Sequence, residues 1–129
     1  MLKINDVEYK NIERFIDFNP YEGKVDGKKR KGKALHITCK TDNFKLSIGT
    51  LYDLEWIKEL KIQDEKDISK YISGLSYEDE NDWYYLTNKC HCTLCRINTN
   101  SFRICLDGLF EDWGRVFNIK YDDIFKINN

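Results

Sequence analysis

The chain has one proline and one methionine in 129 residues, and no apolar run near the length a bilayer span requires. Met1-Leu2-Lys3-Ile4-Asn5-Asp6 contains no apolar h-region, so neither export nor membrane embedding is expected. Charge of one sign is also missing. Lys and Arg total 21 against 22 Asp and Glu, so no long-range field steers the whole molecule toward nucleic acid or an anionic membrane. A charge-driven partner must therefore meet a local patch. The cysteines number five; an odd count suits a secreted disulfide framework poorly, and reduced thiols in a cytosol are expected. There is no glycine-rich phosphate loop, nucleophile elbow or helical His-Glu-x-x-His pattern. The carboxylate pairs Glu111/Asp112 and Asp122/Asp123 are adjacent, which on a strand sends the two members to opposite faces. Catalysis gains no positive support.

Aromatic residues are plentiful, at 14% of the chain. They favour strands and suggest a core of Tyr, Phe and Trp. The length suits one domain, 1-129, with one continuous core. Leu2-Lys3-Ile4 and Val7-Glu8-Tyr9 flank the turn pair Asn5-Asp6, which reads as a hairpin with Lys3 facing Glu8 and Leu2 facing Tyr9. Residues 12-18 fit either period, and we read them as strand. Residues 20-33 hold the proline, three glycines and a cluster of Lys and Arg with almost nothing apolar, which reads as a long mobile basic loop. Leu35, Ile37 and Cys39 alternate before the Thr41-Asp42-Asn43 turn, and Phe44, Leu46 and Ile48 alternate after it. Pairing Cys39 with Phe44, Ile37 with Leu46 and Leu35 with Ile48 puts all six on one face.

Asp53 can cap a short helix through Leu54, Trp56, Ile57 and Leu60. Asp67 can cap another through Ile68, Tyr71, Ile72 and Leu75, ended by Gly74. After an acidic loop over 77-82, strand character returns through Trp83-Leu86, Cys90-Ile97, Phe102-Phe110 and Val116-Tyr121. The Asn98-Ser101 turn pairs Ile97 with Phe102 and Cys95 with Ile104, leaving Leu94 opposite Cys105. Gly108 suits a bend, and Glu111-Asp112-Trp113-Gly114 a connection. The expected fold is mainly β, at the α+β margin: an antiparallel meander curled into a small barrel or sandwich, with one or two short helices between residues 53 and 75.

Four groups of residues carry chemistry. Cys90-His91-Cys92-Thr93-Leu94-Cys95 places thiols and imidazole close enough to suggest zinc. A strand separates Cys90 and Cys92 from His91 and Cys95, however, and no second Cys-x-x-Cys pair exists. Cys90, Cys92 and Cys105 remain the candidate thiolates, weighed against their role as small buried hydrophobes. Lys24, Lys28, Lys29, Arg30, Lys31 and Lys33 could neutralise several phosphates, though only Tyr21 stands near for base stacking. Glu78, Asp79, Glu80 and Asp82 precede Trp83 and Tyr84. Calcium would want oxygen ligands of that kind, but the glycine and closing glutamate of an EF-hand loop are absent, and acid beside aromatic suits a basic protein surface. His36 falls on a polar strand face with Thr38, Ser47 and Lys45, without a nucleophile to activate.

The leading expectation is a non-catalytic, protein-binding module of a small bacterial-type cytosolic protein, with no cofactor. The alternatives are a metal-binding protein or hydrolase built on the thiolate cluster, with zinc as its metal, and a nucleic-acid binder using the Lys24-Lys33 segment. In its overall look the chain is similar to many short bacterial proteins, immunity proteins that block a toxin among them, so a toxin-neutralising role is a further alternative.

Overall fold

The computed structural model describes residues 1–25, 27–50, 57, 59–86 and 90–127. It is mostly β, and all of its strand pairs are antiparallel. In chain order the strands are β1 Leu2–Ile4, β2 Val7–Tyr9, β3 Glu13–Val25, β4 Lys28–Lys40, β5 Phe44–Thr50, β6 Glu65–Asp67, β7 Ile72–Asp79, β8 Trp83–Tyr85, β9 Cys90–Arg96, β10 Ser101–Asp112 and β11 Arg115–Lys126. They form a six-stranded sheet, β2-β1-β11-β10-β9-β6, and a five-stranded sheet, β3-β4-β5-β7-β8. One buried cluster takes residues from both. Leu35, Ile37, Leu46, Ile48 and Leu75 come from the second sheet, and Leu2, Leu94, Ile104, Leu106, Phe117 and Ile119 from the first. Each such side chain withdrawn from water is worth roughly 1.5–3 kcal/mol before conformational entropy is subtracted.

Turn chemistry sets where the ladders begin. Asn5 and Asp6 have φ of 51° and 67°, the left-handed pair that a two-residue hairpin needs and that Asn and Asp tolerate. Leu2 lies opposite Tyr9 and Lys3 opposite Glu8, as the sequence indicates. Trp113 and Gly114, with φ of 52° and 75°, close the long β10–β11 hairpin in the same way. At Gly108 an added Cβ would lie 2.5 Å from the Phe110 ring. The missing side chain is therefore what lets that buried ring fold back over the strand.

Several expectations need correcting. The segment read as a basic loop, 20-33, is the distal half of the β3–β4 ribbon, whose ladder runs unbroken from Glu13↔Lys40 to Val25↔Lys28. Pro20 is tolerated because β3 is a sheet edge, where an absent N–H costs no ladder bond. In β4–β5 the register is Ile37↔Ile48 and Cys39↔Leu46, two residues from the pairing read above. A shift of two keeps faces, so Leu35, Ile37, Cys39, Phe44, Leu46 and Ile48 are all buried together.

The helix expected from Asp67 to Gly74 is only a 3-10 turn over Ser69–Tyr71, after which β7 starts. Asp67 does accept the Ser69 N–H at 2.9 Å. The turn goes no further because Ile72 to Asp79 gain ladder partners in β5. The helix expected from Asp53 falls largely outside the described residues.

The β9–β10 register differs by one. Ile97 closes on Ser101 (N–H to carbonyl, 2.8 Å), while Asn98 Oδ1 accepts the N–H of Asn100 and Ser101. The loop is thus one residue shorter than read. Arg96 then faces Phe102, Leu94 faces Ile104 and Cys105 faces Thr93.

Candidate interaction surfaces

The acidic–aromatic segment lies at one end of the molecule, where β7, β8 and the tip of the β10–β11 hairpin meet. Alternation along β8 splits its aromatics. Trp83 and Tyr85 stack on each other, with centroids 5.9 Å apart and planes at 18°, and remain 58% and 41% exposed. Tyr84 turns the other way, toward Tyr77 and Phe117. Asp112 reaches from β10 to accept the Tyr85 N–H at 3.2 Å. This places Trp113, 89% exposed at the hairpin tip, near the same end. Glu78 lies opposite Trp83 and pairs with Lys45 at 3.4 Å, and Glu80, Asp82 and Glu111 are exposed.

Asp79 has a different job. Its Oδ1 accepts the N–H groups of Asn81 and Asp82 at 3.0 and 2.9 Å, and its Oδ2 accepts from Arg115 at 3.1 Å. These bonds, the backbone ones foremost, hold its pKa below the ordinary aspartate value. Asp79 and Tyr84 are thus half-buried, structural parts of the end. Between them sits Arg115, which the sequence reading missed. Its guanidinium lies 5.2 Å from the Tyr77 centroid, 5.2 Å from Tyr84 and 4.8 Å from Phe117. It therefore clamps β11 of one sheet to β7 and β8 of the other. A signal was available: Arg115 heads the alternating stripe Phe117, Ile119, Tyr121, which is buried.

The basic residues occupy the opposite end of the five-stranded sheet. Lys28 starts β4 and Lys40 finishes it near the acidic turn, a span of roughly 40 Å at strand rise. Beyond Leu35 the β3–β4 ribbon pairs with no other strand among the described residues; β5 accompanies β4 only from His36 to Lys40. Lys24, Lys28, Lys29 and Lys31 are exposed, and Arg30 sits opposite Gly23. Lys29 pairs with Glu22 at 2.7 Å, and the Lys33 ammonium lies 5.7 Å over the Phe18 ring.

The candidate thiolates do not converge. With Cys105 opposite Thr93, and Cys92 opposite Leu106 in the core, Cys105 shares the outer face with Cys95 rather than with Cys90 and Cys92. Burial raises the pKa of Cys90, Cys92 and Cys105 alike. All five cysteines are free thiols. Among the described residues no group of three or more His, Cys, Asp or Glu side chains is arranged to hold a metal ion. His36 is exposed on the outer face opposite Asp17 and Gly49.

A groove of about 600 Å³ opens between the sheets, lined by Met1, Glu8, Tyr9, Lys10, Ile12, Arg14, Tyr121 and Asp123. Asp123 accepts hydrogen bonds from the Arg14 guanidinium with both oxygens, from the Tyr121 hydroxyl, and from the Ile124 N–H. Burial pushes the neighbouring Cys39 thiol up to about 11 and raises Tyr121 as well. The Arg14–Asp123–Tyr121 network ties β3 to β11. Among the described residues no helix is long and apolar enough to cross a membrane. Comparison with family models, curated proteins and solved structures finds no match to this chain.

Proposed function

We propose that this protein is a non-catalytic binding module that uses its acidic–aromatic end to cover a basic surface on another protein. The observation that carries the reading is the exposure of Trp83, Tyr85 and Trp113 together at one end, rimmed by Glu78, Glu80, Asp82 and Glu111. Aromatic rings supply most of the affinity of an interface, while a surround of one charge sets its partner and its association rate. Arg115 and Asp79 hold the platform in place before binding, which keeps the entropy cost of association low. The module works in a reducing, cytosol-type compartment, and neutralising a toxin with a basic surface is one task of this chemistry.

A photoreactive phenylalanine analogue placed at Trp113 or Trp83 tests the reading in the native cell. A single discrete protein adduct at these positions, absent from a control at exposed Ile62 and lost at high salt, is the expected result. The same adducts at all three positions, or none at Trp83 and Trp113, would contradict it.

A further inference from the structure

We infer that the distal β3–β4 ribbon is a second, independent binding element whose ligand is duplex DNA, held through its phosphates without regard to base sequence. Residues 20-33 hold six cations, Lys24, Lys28, Lys29, Arg30, Lys31 and Lys33, against two carboxylates, Glu22 and Asp26. The excess sits on an element that no other strand flanks among the described residues. An unbroken ladder makes it a two-stranded arm rather than a loose tail, so its charges are already spaced for a ligand.

The register distributes those charges over both faces. Lys24 opposite Lys29 and Glu22 opposite Lys31 lie on the face that continues from Leu35 and Ile37, whereas Lys28 lies on the other. Cations on both faces of a two-stranded ribbon suit insertion between two phosphate rows. The major groove of B-form DNA, about 12 Å wide, admits such a ribbon. The deep, narrow major groove of A-form RNA does not. Single strands are disfavoured because the arm presents lysines rather than a row of rings on which bases stack. The acidic end lies at the far end of the same sheet, so its carboxylates do not oppose approach of the arm at ordinary ionic strength.

Fluorescence anisotropy of the intact protein with a labelled duplex of about 20 base pairs tests this directly. A net charge near four predicts a slope of log K against log salt of about −3 to −4, so affinity falls on the order of 100-fold between about 50 and 200 mM salt. The double variant Lys28→Gln/Lys31→Gln should reduce that slope by about two and weaken binding at the lower salt by tenfold or more. Both lysines are exposed, so an unchanged circular dichroism spectrum and melting temperature show that the variant is folded. Trp83→Ala should bind DNA as the parent does, which separates this inference from the protein-binding reading. Four results overturn the inference. They are no binding at low salt, an unchanged slope in the double variant, tighter binding to duplex RNA or single strands than to duplex DNA, and salt-sensitive self-association in place of DNA binding, which would mean that the arm meets the acidic end of a second copy.

Discussion

Replacing Arg115 with alanine should destabilise the protein by about 2 kcal/mol, and the structure says where that figure comes from. Three rings surround the guanidinium at 4.8 to 5.2 Å, within the range where a cation over a ring contributes roughly 0.5–1 kcal/mol when exposed and up to about 2 when desolvated. The contributions overlap, because one cation is shared among the rings. The ion pair to Asp79 adds at most about 1 kcal/mol, since the Arg115 side chain is 42% exposed. Asp79 is not orphaned by the change, because the N–H groups of Asn81 and Asp82 still satisfy it. The aliphatic stem is lost from the ring cage as well. Urea unfolding followed by circular dichroism would give the difference from the midpoint at constant m, and the melting temperature should drop by about 5–10 °C. Arg115→Lys should recover only part of the loss, because an ammonium cannot lie flat against the rings. A cost below about 0.5 kcal/mol for the alanine variant, or full rescue by lysine, would refute the clamp.

Leu94→Ala should cost about 2–5 kcal/mol and Thr93→Ala under about 1, because the register buries the first against Ile104 and leaves the second on the outer face; equal costs in urea unfolding would show the ladder slipped. Gly108→Ala should destabilise by about 1–3 kcal/mol, since the new Cβ would meet the buried Phe110 ring; a neutral or stabilising result would mean that the ring does not fold over that position. Cys39 is buried and its pKa is raised from an ordinary 9.0 to about 11, so the folded protein favours the thiol and the unfolded chain ionises first. Its contribution, about 2–3 kcal/mol, is complete below pH 9 and is lost as pH rises through about 11. Unfolding free energy measured across that range should therefore fall, and less steeply in Cys39→Ala. Asp122, held below the ordinary aspartate value chiefly by Arg103, acts in the reverse sense. Its stabilisation is present above the unfolded value and disappears as pH drops through the folded one, so Arg103→Gln should flatten the acid limb of the same titration.

Much of the β architecture was legible because alternation is a local signal. Leu35 to Cys39 and Phe44 to Ile48 declare a buried face whatever their partner, so a pairing shifted by two residues left every inward residue correctly placed. The β9–β10 pair was less forgiving. Both faces carry apolar residues or thiols, so composition did not choose between registers, and the choice fell to whether Asn98 closes a loop on Ser101 or one residue later. That single residue moved Cys105 to the face opposite Cys92. The basic segment was misread because strand signals are largely packing signals, and an arm that no other strand flanks among the described residues shows few of them while its backbone still pairs. Asp67 shows the limit of a cap: it nucleates one turn, but ladder bonds to β5 outweigh a second. Arg14 and Arg115 were overlooked, and Asp123 was read only as half of a carboxylate pair, although Arg115 and Asp123 stand in the buried stripe of Phe117, Ile119, Tyr121 and Phe125, and Arg14 among the partly buried Ile12, Ile16 and Phe18; a charge in such a stripe marks a contact between sheets.

The separation of charge along one sheet underlies both proposals, and NMR relaxation by small nitroxide cosolutes of opposite charge measures it most directly. A cationic nitroxide should relax the amides of 79–83 and 112–114 more strongly than an anionic one does, and the order should reverse at 24 and 28–31. Equal enhancement by the two probes at either end would contradict the account.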